Sequence, residues 1–498
     1  MKAQAGLVLA GAAQALGSVS FPRATYGEHY KPLVNSKGLQ GGIATESLMG
    51  NLQKLDAIAN ANGGNRAFGL PGYAASVEYI LSRTANSSNF VTWVQDFPAL
   101  YQHVDSISFK ADNQSISVVG LTYSPSTTVA GFTTPLILGA TGPEGCTVEA
   151  YDNIDVKDKI VLVQRGSCPD GTTFAGRMKP AAAAGAIAVV IYNDVETPTT
   201  GGTLTNPNPE EYVPTGLINK DVGDALAVRL TAGENVTAYF QQTQTIETRI
   251  TQNVFTETKD GDPTNVIMLG AHLDSVFAGP GINDDGSGTS LVLELKTSLE
   301  KFRVKNKVRF AWWGAEENGK KGSIYYTQNL NVTAANNILA YLNFDMVSKG
   351  YFGVFDGDGS THGVKGPAGS DVIEKLFVGD LTGKGINVTA AQFTGGSDYK
   401  SFMDIGKPIG GLHTGTGVAQ DPCYHQACDN IDNPDPKTLT VNAKATAHVL
   451  SILATKGHEI IPKSPVNSTM FAERGLVGRE FQLKTDEGER HLGCGGEV

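Results

Sequence analysis

Four apolar segments in the second half of the chain each run into a histidine or a carboxylate, and no other feature constrains the fold as strongly. Helical periodicity separates them, as in residues 287–299, where leucines recur on one face. Apolar strands that alternate with helices predict an α/β fold, with a mixed central sheet flanked by helices on both sides. The four strand predictions are residues 265–271, 308–313, 338–344 and 408–412.

The residues that follow these strands are candidates for one site, because ligands of an open α/β sheet bind beyond the carboxyl ends of its strands. Two loops add further candidates, one directly before the helix at residues 287–299 and one beyond the last strand. The candidates are His272, Asp274, Asp284, Glu316, Glu317, Asp345, His413, Tyr424 and His425.

So many carboxylates at one edge would repel one another unless cations neutralised them. Histidines together with several Asp and Glu are typical zinc ligands, and there are more of them than one tetrahedral ion can use. Two ions about 3.5–4 Å apart, sharing a bridging carboxylate, would use five ligands and a water. A bound zinc lowers the pKa of its water to about 7, and a neighbouring carboxylate can accept the proton. The pattern therefore predicts a two-zinc hydrolytic site.

Each residue taken alone also has a simpler explanation. His272 could be a polar strand end, and Asp284 lies in a DDG sequence typical of a turn and helix N-cap. Glu316 and Glu317 could belong to a solvated helix start. Asp345 is the hardest to explain in this way, since it follows an apolar run and a buried carboxylate needs partners. The joint arrangement, rather than any one residue, favours the metal site.

The N-terminus is typical of a secretory signal peptide, predicted over residues 1–17. Lys2 precedes the apolar run 5–13, and Ala13 and Ala15 offer a cleavage site; a buried helix is the alternative. No other stretch reaches the roughly 18 apolar residues of a membrane span, so we expect a secreted or vacuolar protein without a membrane anchor. Six glycosylation sequons agree with secretion: Asn86, Asn113, Asn235, Asn331, Asn387 and Asn467.

Length and charge limit the partners. A chain of 498 residues is too long for one ordinary core, so two or three domains are expected. The formal net charge is −11 and no basic cluster is available to neutralise phosphates, which argues against a nucleic-acid partner. The predicted assembly is a monomer.

The cysteines predict two disulfides if the chain enters an oxidising compartment. Cys423 would pair with Cys428, and Cys146 with Cys168. A zinc knuckle is the alternative for Cys423 and Cys428, but four cysteines at ligand spacing are missing. Cys494 lies in a glycine-rich tail and has no assigned role.

Residues 118–245 differ in composition from the rest of the chain. They are rich in Thr, Gly and Pro, and their pattern predicts short strands and turns. Residues 159–164 predict a strand, 179–185 an alanine-rich helix and 186–193 a buried strand. The segments KIVLVQRGSC, MKPAAAAGA and VVIYN resemble the protease-associated (PA) domain. The resemblance implies an inserted, mostly-β module that covers or gates a peptidase site, and nothing in its residues indicates a nucleophile or a metal.

Six motifs outside this insertion resemble the co-catalytic zinc aminopeptidases and occur in the order typical of that family. They are GAHLDSV, GPGINDDGSG, FAWWGAEE, LNFDM, GGSDY and DPCYHQACD. The inserted PA domain is similar to that of the fungal subgroup. This resemblance implies a zinc-exopeptidase fold, two Zn²⁺ per subunit and peptide substrates with a free N-terminus.

The same resemblance implies the ligand set. His272 and Asp345 would bind one zinc, and Glu317 and His425 would bind the other. Asp284 would bridge both ions. All five residues stand at the positions of the family motifs.

Other residues would serve the reaction around the metals. Glu316 would be the general base and later the acid that protonates the leaving amine. Tyr424 would donate a hydrogen bond to the oxyanion of the tetrahedral intermediate. Asp274 would orient the imidazole two residues before it. The Cys423–Cys428 disulfide would fix the loop that carries Tyr424.

Two positions depart from the family pattern. Gly396 stands where some bacterial relatives carry an Arg that helps hold the substrate's amino terminus, which leaves Glu316 and Asp345 as the amine contacts. His413 stands where relatives often place Phe in the pocket for the first side chain. We therefore treat Met346 and His413 as candidate pocket residues, although a loop histidine without a role is compatible with the sequence too. If His413 lines the pocket, a strict preference for leucine is not expected.

Three functions are compatible with these motifs. In an aminopeptidase, carboxylates hold the free α-amine while zinc-bound hydroxide attacks the first peptide carbonyl. A carboxypeptidase with the same metals would need cations for the substrate carboxylate, and no Arg cluster lies near the motifs. A non-catalytic, receptor-like homologue would have lost a ligand, whereas all five ligands and Glu316 are retained.

The predicted domain organisation follows from these assignments. It consists of the signal peptide (1–17), an N-terminal extension or propeptide (18–40), a discontinuous zinc peptidase domain (41–117 and 246–460), the PA domain (118–245) and a C-terminal extension (461–498).

Overall fold

The computed structural model describes residues 31–196, 201–205, 208 and 210–466. The predicted signal peptide, the sequon at Asn467 and the tail with Cys494 lie outside the described residues. None of the helices within these ranges combines the length and the apolar character that a bilayer crossing requires.

Helices and strands alternate through most of the described chain. The α-helices are α1 (Ser36–Gly41), α2 (Thr45–Ala61), α3 (Pro71–Thr84), α4 (Ala175–Ala183), α5 (Lys220–Thr231), α6 (Gly288–Leu299), α7 (Lys321–Asn329), α8 (Val332–Asn337), α9 (Ser370–Gly383), α10 (Tyr399–Met403) and α11 (Pro436–Ile460). The strands are β1 (Phe90–Ala111), β2 (Gln114–Ile116), β3 (Val119–Gly120), β4 (Phe132–Leu138), β5 (Ile160–Gln164), β6 (Ala188–Tyr192), β7 (Thr215–Ile218), β8 (Thr237–Thr258), β9 (Asp262–His272), β10 (Asn306–Trp313), β11 (Ile338–Phe344), β12 (Phe352–Phe355), β13 (Val388–Ala391) and β14 (Ile409–His413).

The strands form one mixed sheet in the order β13-β12-β14-β11-β9-β10-β8-β4-β5-β6-β7-β3, with β1 paired along β8 and β2 on β1. Strands β14, β11, β9 and β10 are parallel to their neighbours in this group, and they are the four strands that the apolar segments predict. Strands β8 and β12 run antiparallel on either side of the group. The predicted fold class, a mixed sheet flanked by helices, is confirmed.

Helices cover both faces of the parallel strands, as the continuous apolar runs require. Alternate side chains of β9 point to opposite faces. Ile267 and Leu269 join the core beneath α2, α6, α9 and α11, whereas Met268 packs with aromatic side chains of α7 and α10 on the other face. This double layer holds the carboxyl ends of the strands in fixed positions.

The described parts of both predicted extensions pack on this larger core. Val34 and Leu39, from the segment before residue 41, are buried in it, and α1 contacts α11. At the other end Ile461 and Val466 are buried, and the amide of Val466 donates to Asn336 Oδ1 at 2.8 Å.

Helix α11 is an element that the apolar patterns discussed above do not single out. Its start does carry a local signal, since Asp435 caps it by accepting a hydrogen bond from the amide of Thr438 at 2.6 Å and Pro436 occupies the first turn. Many Thr and Ala residues in the helix dilute the apolar stripe that a sequence pattern would reveal.

Strands β1 and β8 have 22 residues each, which is far longer than the roughly five or six residues of an average strand. They pair antiparallel from Phe90 opposite Thr258 to Ala111 opposite Ala238, and this pair of strands is here called the ribbon. One end of the ribbon lies beside β10 and the other beside β4, so it joins the larger lobe to a smaller one. Its middle is partly exposed and polar, which removes the alternation that identifies a strand.

The smaller lobe contains the region predicted as the PA domain. Strands β4 to β7 are parallel, β3 is antiparallel to β7, and α4 and α5 pack against the strands. Helix α4 begins at Ala175, earlier than the predicted start at residue 179, so Pro180 lies inside it rather than in its first turn. The predicted disulfide between Cys146 and Cys168 is formed, as is the one between Cys423 and Cys428.

Candidate active site

All nine predicted site residues meet at the carboxyl edge of the four parallel strands. His272 and His413 are the last residues of β9 and β14, Asp345 directly follows β11, and the two glutamates follow β10. His413 reaches the group by donating from Nδ1 to the carbonyl oxygen of Asp345 at 2.8 Å. Tyr424 stacks on His425, with ring centroids 3.8 Å apart.

Asp284 lies at the centre of the site, with each carboxylate oxygen facing a different imidazole. Its Oδ1 lies 3.0 Å from His272 Nε2, and its Oδ2 lies 3.1 Å from His425 Nε2. His272 Nε2 is 3.8 Å from Asp345 Oδ1, and His425 Nε2 is 3.1 Å from Glu317 Oε2. The site thus has two halves, each with one imidazole and one further carboxylate, that share Asp284.

These residues fit two zinc ions. The donor set of imidazole nitrogens and carboxylate oxygens is one that zinc accepts. The Glu317 side chain is only 8% exposed, and its buried Oε1 accepts no hydrogen bond from any described residue. A buried carboxylate oxygen without a partner is costly, and a cation at this position would satisfy it.

The protonation equilibria show the strength of the negative field. Burial lowers the pKa of His425, but Glu317 and Asp284 outweigh it and raise that pKa to about 11. Burial likewise lowers the pKa of His272, while hydrogen bonds with carboxylates raise it well above the usual value. Burial acts to raise the pKa of Asp284, yet both imidazoles hold it below its usual value. The same field that attracts protons to the imidazoles also attracts metal dications in their place.

The His272 ring is oriented for ligation by its own strand end. Its Nδ1 lies 3.1 Å from the backbone oxygen of Asp274 and 3.6 Å from the Asp274 carboxylate. A carbonyl oxygen can only accept, so Nδ1 donates to it and Nε2 is the ring nitrogen left to bind a metal once its own proton is displaced. The nearer contact is therefore the carbonyl rather than the side chain to which the resemblance assigned this role.

The Asp274 carboxylate holds the loop of the two glutamates. Its Oδ1 accepts from the amide of Glu316 at 3.0 Å, and its Oδ2 accepts from the amide of Glu317 at 3.2 Å. Burial raises the pKa of Glu316 well above its usual value, and the negative charges of Asp398, Asp345 and Glu317 add to this while His272 opposes it. A carboxyl with a raised pKa is suited to exchange a proton near neutral pH.

Three non-glycine residues at or beside the candidate metal ligands adopt left-handed backbone conformations. Ala315, Met346 and His425 have φ of 56°, 55° and 56°. Such conformations cost about 1–3 kcal/mol each and persist where the surrounding structure enforces them. They occur where the chain must turn sharply after a strand to aim a carboxylate or an imidazole into the site.

Asp285 is a site residue that the sequence analysis does not separate from its neighbour Asp284. It is fully buried, and its Oδ1 accepts from the amides of Gly288 and Met346 at 2.8 and 3.2 Å. Its Oδ2 accepts from the amide of His272 at 3.2 Å. One carboxylate thus joins the three segments that carry His272, Asp284 and Asp345, the candidate ligands of one half of the site.

Two further aspartates join the disulfide loop to the Asp284 loop. Asp429 accepts from the amides of Asn283 and Asp284 at 2.8 and 3.0 Å, and burial raises its pKa to about 7. Asp421 accepts from Asn283 Nδ2 at 2.7 Å and from the amide of Cys423 at 3.0 Å. Asp421 and Asp429, the first and last residues of the motif DPCYHQACD, therefore hold the two loops together. Their place at the two ends of the motif is the sequence signal that could have identified them.

Arg66 is fully buried beneath the site, and the sequence gives no sign of it. Its guanidinium donates to the backbone oxygens of Leu273, Pro280 and Gly281, the last two at 2.9 and 2.6 Å. It therefore holds the loop between β9 and α6, which leads into Asp284.

The two predicted pocket residues differ in accessibility. Met346 has no exposed surface and packs in the interior. His413 is partly exposed and lies against Phe355, with ring centroids 6.2 Å apart and the planes within 12°. Ser397, from the motif GGSDY, donates to Asp345 Oδ2 at 2.6 Å and so orients this candidate ligand.

Two protein-family profiles and several curated relatives match this chain. The chain matches the profile of peptidase family M28 over residues 253–450 and that of the PA domain over residues 132–226. The probable leucine aminopeptidase 2 of Aspergillus fumigatus is 37% identical over 489 residues, which cover 94% of each chain. The probable lipoprotein aminopeptidase LpqL of Mycobacterium tuberculosis is 37% identical over 457 residues, covering 85% of this chain and 89% of the relative.

Solved structures share the architecture. The aminopeptidase from Aneurinibacillus sp. strain AM-1 is 26% identical with a TM-score of 0.70, covering 87% of this chain and 98% of that chain. A zinc aminopeptidase from Bacillus subtilis is 24% identical with a TM-score of 0.63, covering 85% and 98%, and shows the fold. The predicted enzyme class, a metallo-aminopeptidase, is confirmed. Since it spans most of the length of relatives that are 37% identical to it, this chain belongs to peptidase family M28.

Proposed function

We propose that this protein is a two-zinc aminopeptidase that hydrolyses the first peptide bond of substrates with a free N-terminus. The observation that carries the proposal is the position of Asp284, whose two carboxylate oxygens lie 3.0 and 3.1 Å from the two imidazoles. A carboxylate in this position serves both halves of the site at once.

In this proposal His272 and Asp345 would hold one ion, Glu317 and His425 would hold the other, and Asp284 would serve both. Bound zinc supplies a Lewis acid and a water whose pKa is lowered to about 7. The carbonyl contact on His272 Nδ1 keeps Nε2 available for its ion.

Glu316 moves the proton. Its raised pKa, caused mainly by burial, lets the carboxylate take a proton from the attacking water and return it to the leaving amine. The Asp274 carboxylate fixes the amide of Glu316 and therefore the position of this base. Tyr424, stacked on His425, is the proposed hydrogen-bond donor to the oxyanion.

Charge favours an amino terminus over a carboxyl terminus in this site. Glu316 and Asp345 are proposed to hold the substrate ammonium, and their negative charges would repel a substrate carboxylate. The cation beneath the site, Arg66, already donates to three backbone oxygens and is fully buried. A carboxypeptidase would need a further cation for the substrate carboxylate, and Arg66 is not available for that role.

His413 is the proposed pocket residue that tunes the choice of the first side chain. It is partly exposed beside the ligand Asp345, and its Nδ1 donates to the carbonyl oxygen of that residue. A polar ring at this place offers a substrate both apolar and hydrogen-bonding contact, so we propose that cleavage is not restricted to leucine.

We also propose a secreted or vacuolar monomer that carries glycans, with the PA domain gating access to the site. Two disulfides and the exposure of the five described sequon asparagines support an oxidising, glycosylating route. Those asparagines are Asn86, Asn113, Asn235, Asn331 and Asn387.

The test compares the p-nitroanilides of Leu, Lys and Ala with N-acetyl-Leu-p-nitroanilide, before and after chelation and during zinc titration. We expect cleavage of free-amine substrates alone and recovery that is complete only at two zinc ions per chain. D284N should fail to reach that stoichiometry, whereas E300Q, a distant carboxamide control, should behave as wild type. Cleavage of the acetylated substrate, or full activity at one zinc per chain, would overturn the proposal.

A further inference from the structure

A row of side chains on one face of the ribbon leads to the candidate active site. Alternate residues of a strand point to the same face, and in β1 these include Phe97, Ala99 and Tyr101. All three are buried and pack in one cluster with Ala315. Ala315 directly precedes Glu316, so this cluster adjoins the proposed general base.

The row ends in two partly exposed rings, those of His103 and Phe277. His103 follows Tyr101 on the same face of β1, and its ring centroid lies 4.5 Å from that of Phe277. Phe277 also meets the Tyr101 ring edge to face, with the centroids 5.9 Å apart and the planes at 79°. Tyr101 is buried, whereas His103 and Phe277 are not fully covered. The two rings therefore offer an accessible aromatic surface.

The loop that carries Phe277 lies between the ribbon and the disulfide loop. Phe277 is three residues beyond Asp274, whose carboxylate accepts from the amide of Glu316 at 3.0 Å. Three residues span at most about 11 Å, so the Phe277 backbone stays close to the proposed base. On the other side, a Cβ placed on Gly279 would lie 2.3 Å from the backbone oxygen of Gln426. The aromatic surface is thus held beside the reacting groups.

A cation beside these rings is already engaged by other groups. The guanidinium carbon of Arg249 lies 3.5 Å from the centroid of the Tyr101 ring. Arg249 Nη1 donates to the backbone oxygen of Gly69 at 2.8 Å, and Nη2 lies 2.7 Å from Glu247 Oε1. Its charge is therefore compensated, and the surface suits an apolar side chain better than a carboxylate.

We infer that Phe277 and His103 bind the side chain of the residue that follows the scissile bond, so that peptides with an apolar second residue are preferred. The inference rests on the proposed function, in which Glu316 returns a proton to the leaving amine. A general acid lies within about 2.6–3.2 Å of the atom that it protonates, so the leaving peptide begins beside Glu316. Its first side chain can then cover the two rings, which removes apolar surface from water.

The test measures kcat/KM of the zinc-loaded full-length protein on leucinamide, Leu-Ala-amide, Leu-Phe-amide and Leu-Asp-amide, with the released leucine quantified by chromatography. Leucinamide has no residue after the scissile bond, so it reports on the reaction without the downstream side chain. F277A and H103A each remove one ring, whereas H103F keeps a ring at that position. I250A is the matched control, because Ile250 is 63% exposed and follows Arg249 on the opposite face of the ribbon.

We expect the wild-type protein to prefer Leu-Phe-amide over Leu-Ala-amide at least about fivefold and to cleave Leu-Asp-amide most slowly. F277A and H103A should bring the Phe-to-Ala ratio close to one, while H103F and I250A keep it. A general distortion of the site would lower all four rates together and leave the ratio unchanged.

A wild-type ratio near one, or a wild-type ratio in both F277A and H103A, would overturn the inference while leaving the proposed function in place. A wild-type protein that cleaves none of the four amides would contradict the proposed function, and the inference with it.

Discussion

Replacing the buried Arg66 with methionine tests whether the site is held from beneath. Methionine fills much of the same space but donates no hydrogen bond, so the backbone oxygens of Leu273, Pro280 and Gly281 lose their partner. The guanidinium also compensates the negative charges of aspartates around it, although burial itself lowers its pKa. The substitution therefore removes three hydrogen bonds and the central positive charge together.

The expected loss follows from these contacts. Each carbonyl left buried without a donor costs about 1–3 kcal/mol, and the three costs are not additive because the loop can relax. Removing one partner of a buried charge cluster costs about 3–5 kcal/mol. We therefore expect R66M to lose about 3–5 kcal/mol of unfolding free energy. R66K keeps the charge but cannot reach three carbonyls in a planar arrangement, so it should fall between wild type and R66M.

The assay is urea unfolding followed by tryptophan fluorescence, in the presence of chelator so that zinc binding does not add to stability. All three tryptophans, Trp93, Trp312 and Trp313, lie in β1 and β10, so the signal reports on the larger lobe. Zinc affinity is measured separately and should also fall in R66M, since the loop leading into Asp284 loosens. An R66M protein that unfolds within about 1 kcal/mol of wild type and binds zinc normally would refute this reasoning.

Four more predictions concern the site. E316Q should lower kcat by about 10²–10⁴-fold with unchanged zinc content, and zinc loss in that variant would instead make Glu316 a ligand. Because burial raises the pKa of Glu316, activity should be present above that raised pKa and fall as pH drops through it; an acid limit at the pKa of an ordinary glutamate would contradict this. Opening the Cys423–Cys428 disulfide with C428S should weaken zinc binding more than it lowers the melting temperature, and equal kinetics to wild type would show that the loop needs no crosslink. H413F should raise the ratio of Leu to Lys hydrolysis, and an unchanged ratio would remove His413 from the pocket.

The predicted strands were found because their signal is local. A parallel strand covered by helices on both faces reads as an uninterrupted apolar run, and β11 coincides with its predicted bounds at Ile338 and Phe344. Since the ends of such strands share one edge, the sequence also placed His272 and Asp345 together. This prediction needed only the rule that neighbouring parallel strands end at the same edge of a sheet, and not the strand order.

The residues that were not predicted act through contacts distant in sequence. Arg66 is more than 200 positions from the carbonyls it binds, and nothing around it marks it as buried. Asp284 and Asp285 are adjacent, and only the turn between them decides that one faces the imidazoles and the other accepts amide hydrogens. The full length of the ribbon carries no sequence signal for another reason, since strands that cross from one lobe to another need not alternate apolar and polar residues.

The ribbon has a consequence for how the chain can be divided. Val104 lies opposite Gln244 in its ladder, beside the register shift at Ser106. The smaller lobe is thus inserted at the end of a long β-hairpin rather than connected by a flexible linker. Joining these two residues with a tight turn would close the hairpin. The pairs from Phe90–Thr258 to Val104–Gln244 would remain, and the rest of the ribbon would be removed with the smaller lobe. The larger lobe should then survive as a minimal enzyme, whose substrate range would reveal what the excised lobe excludes.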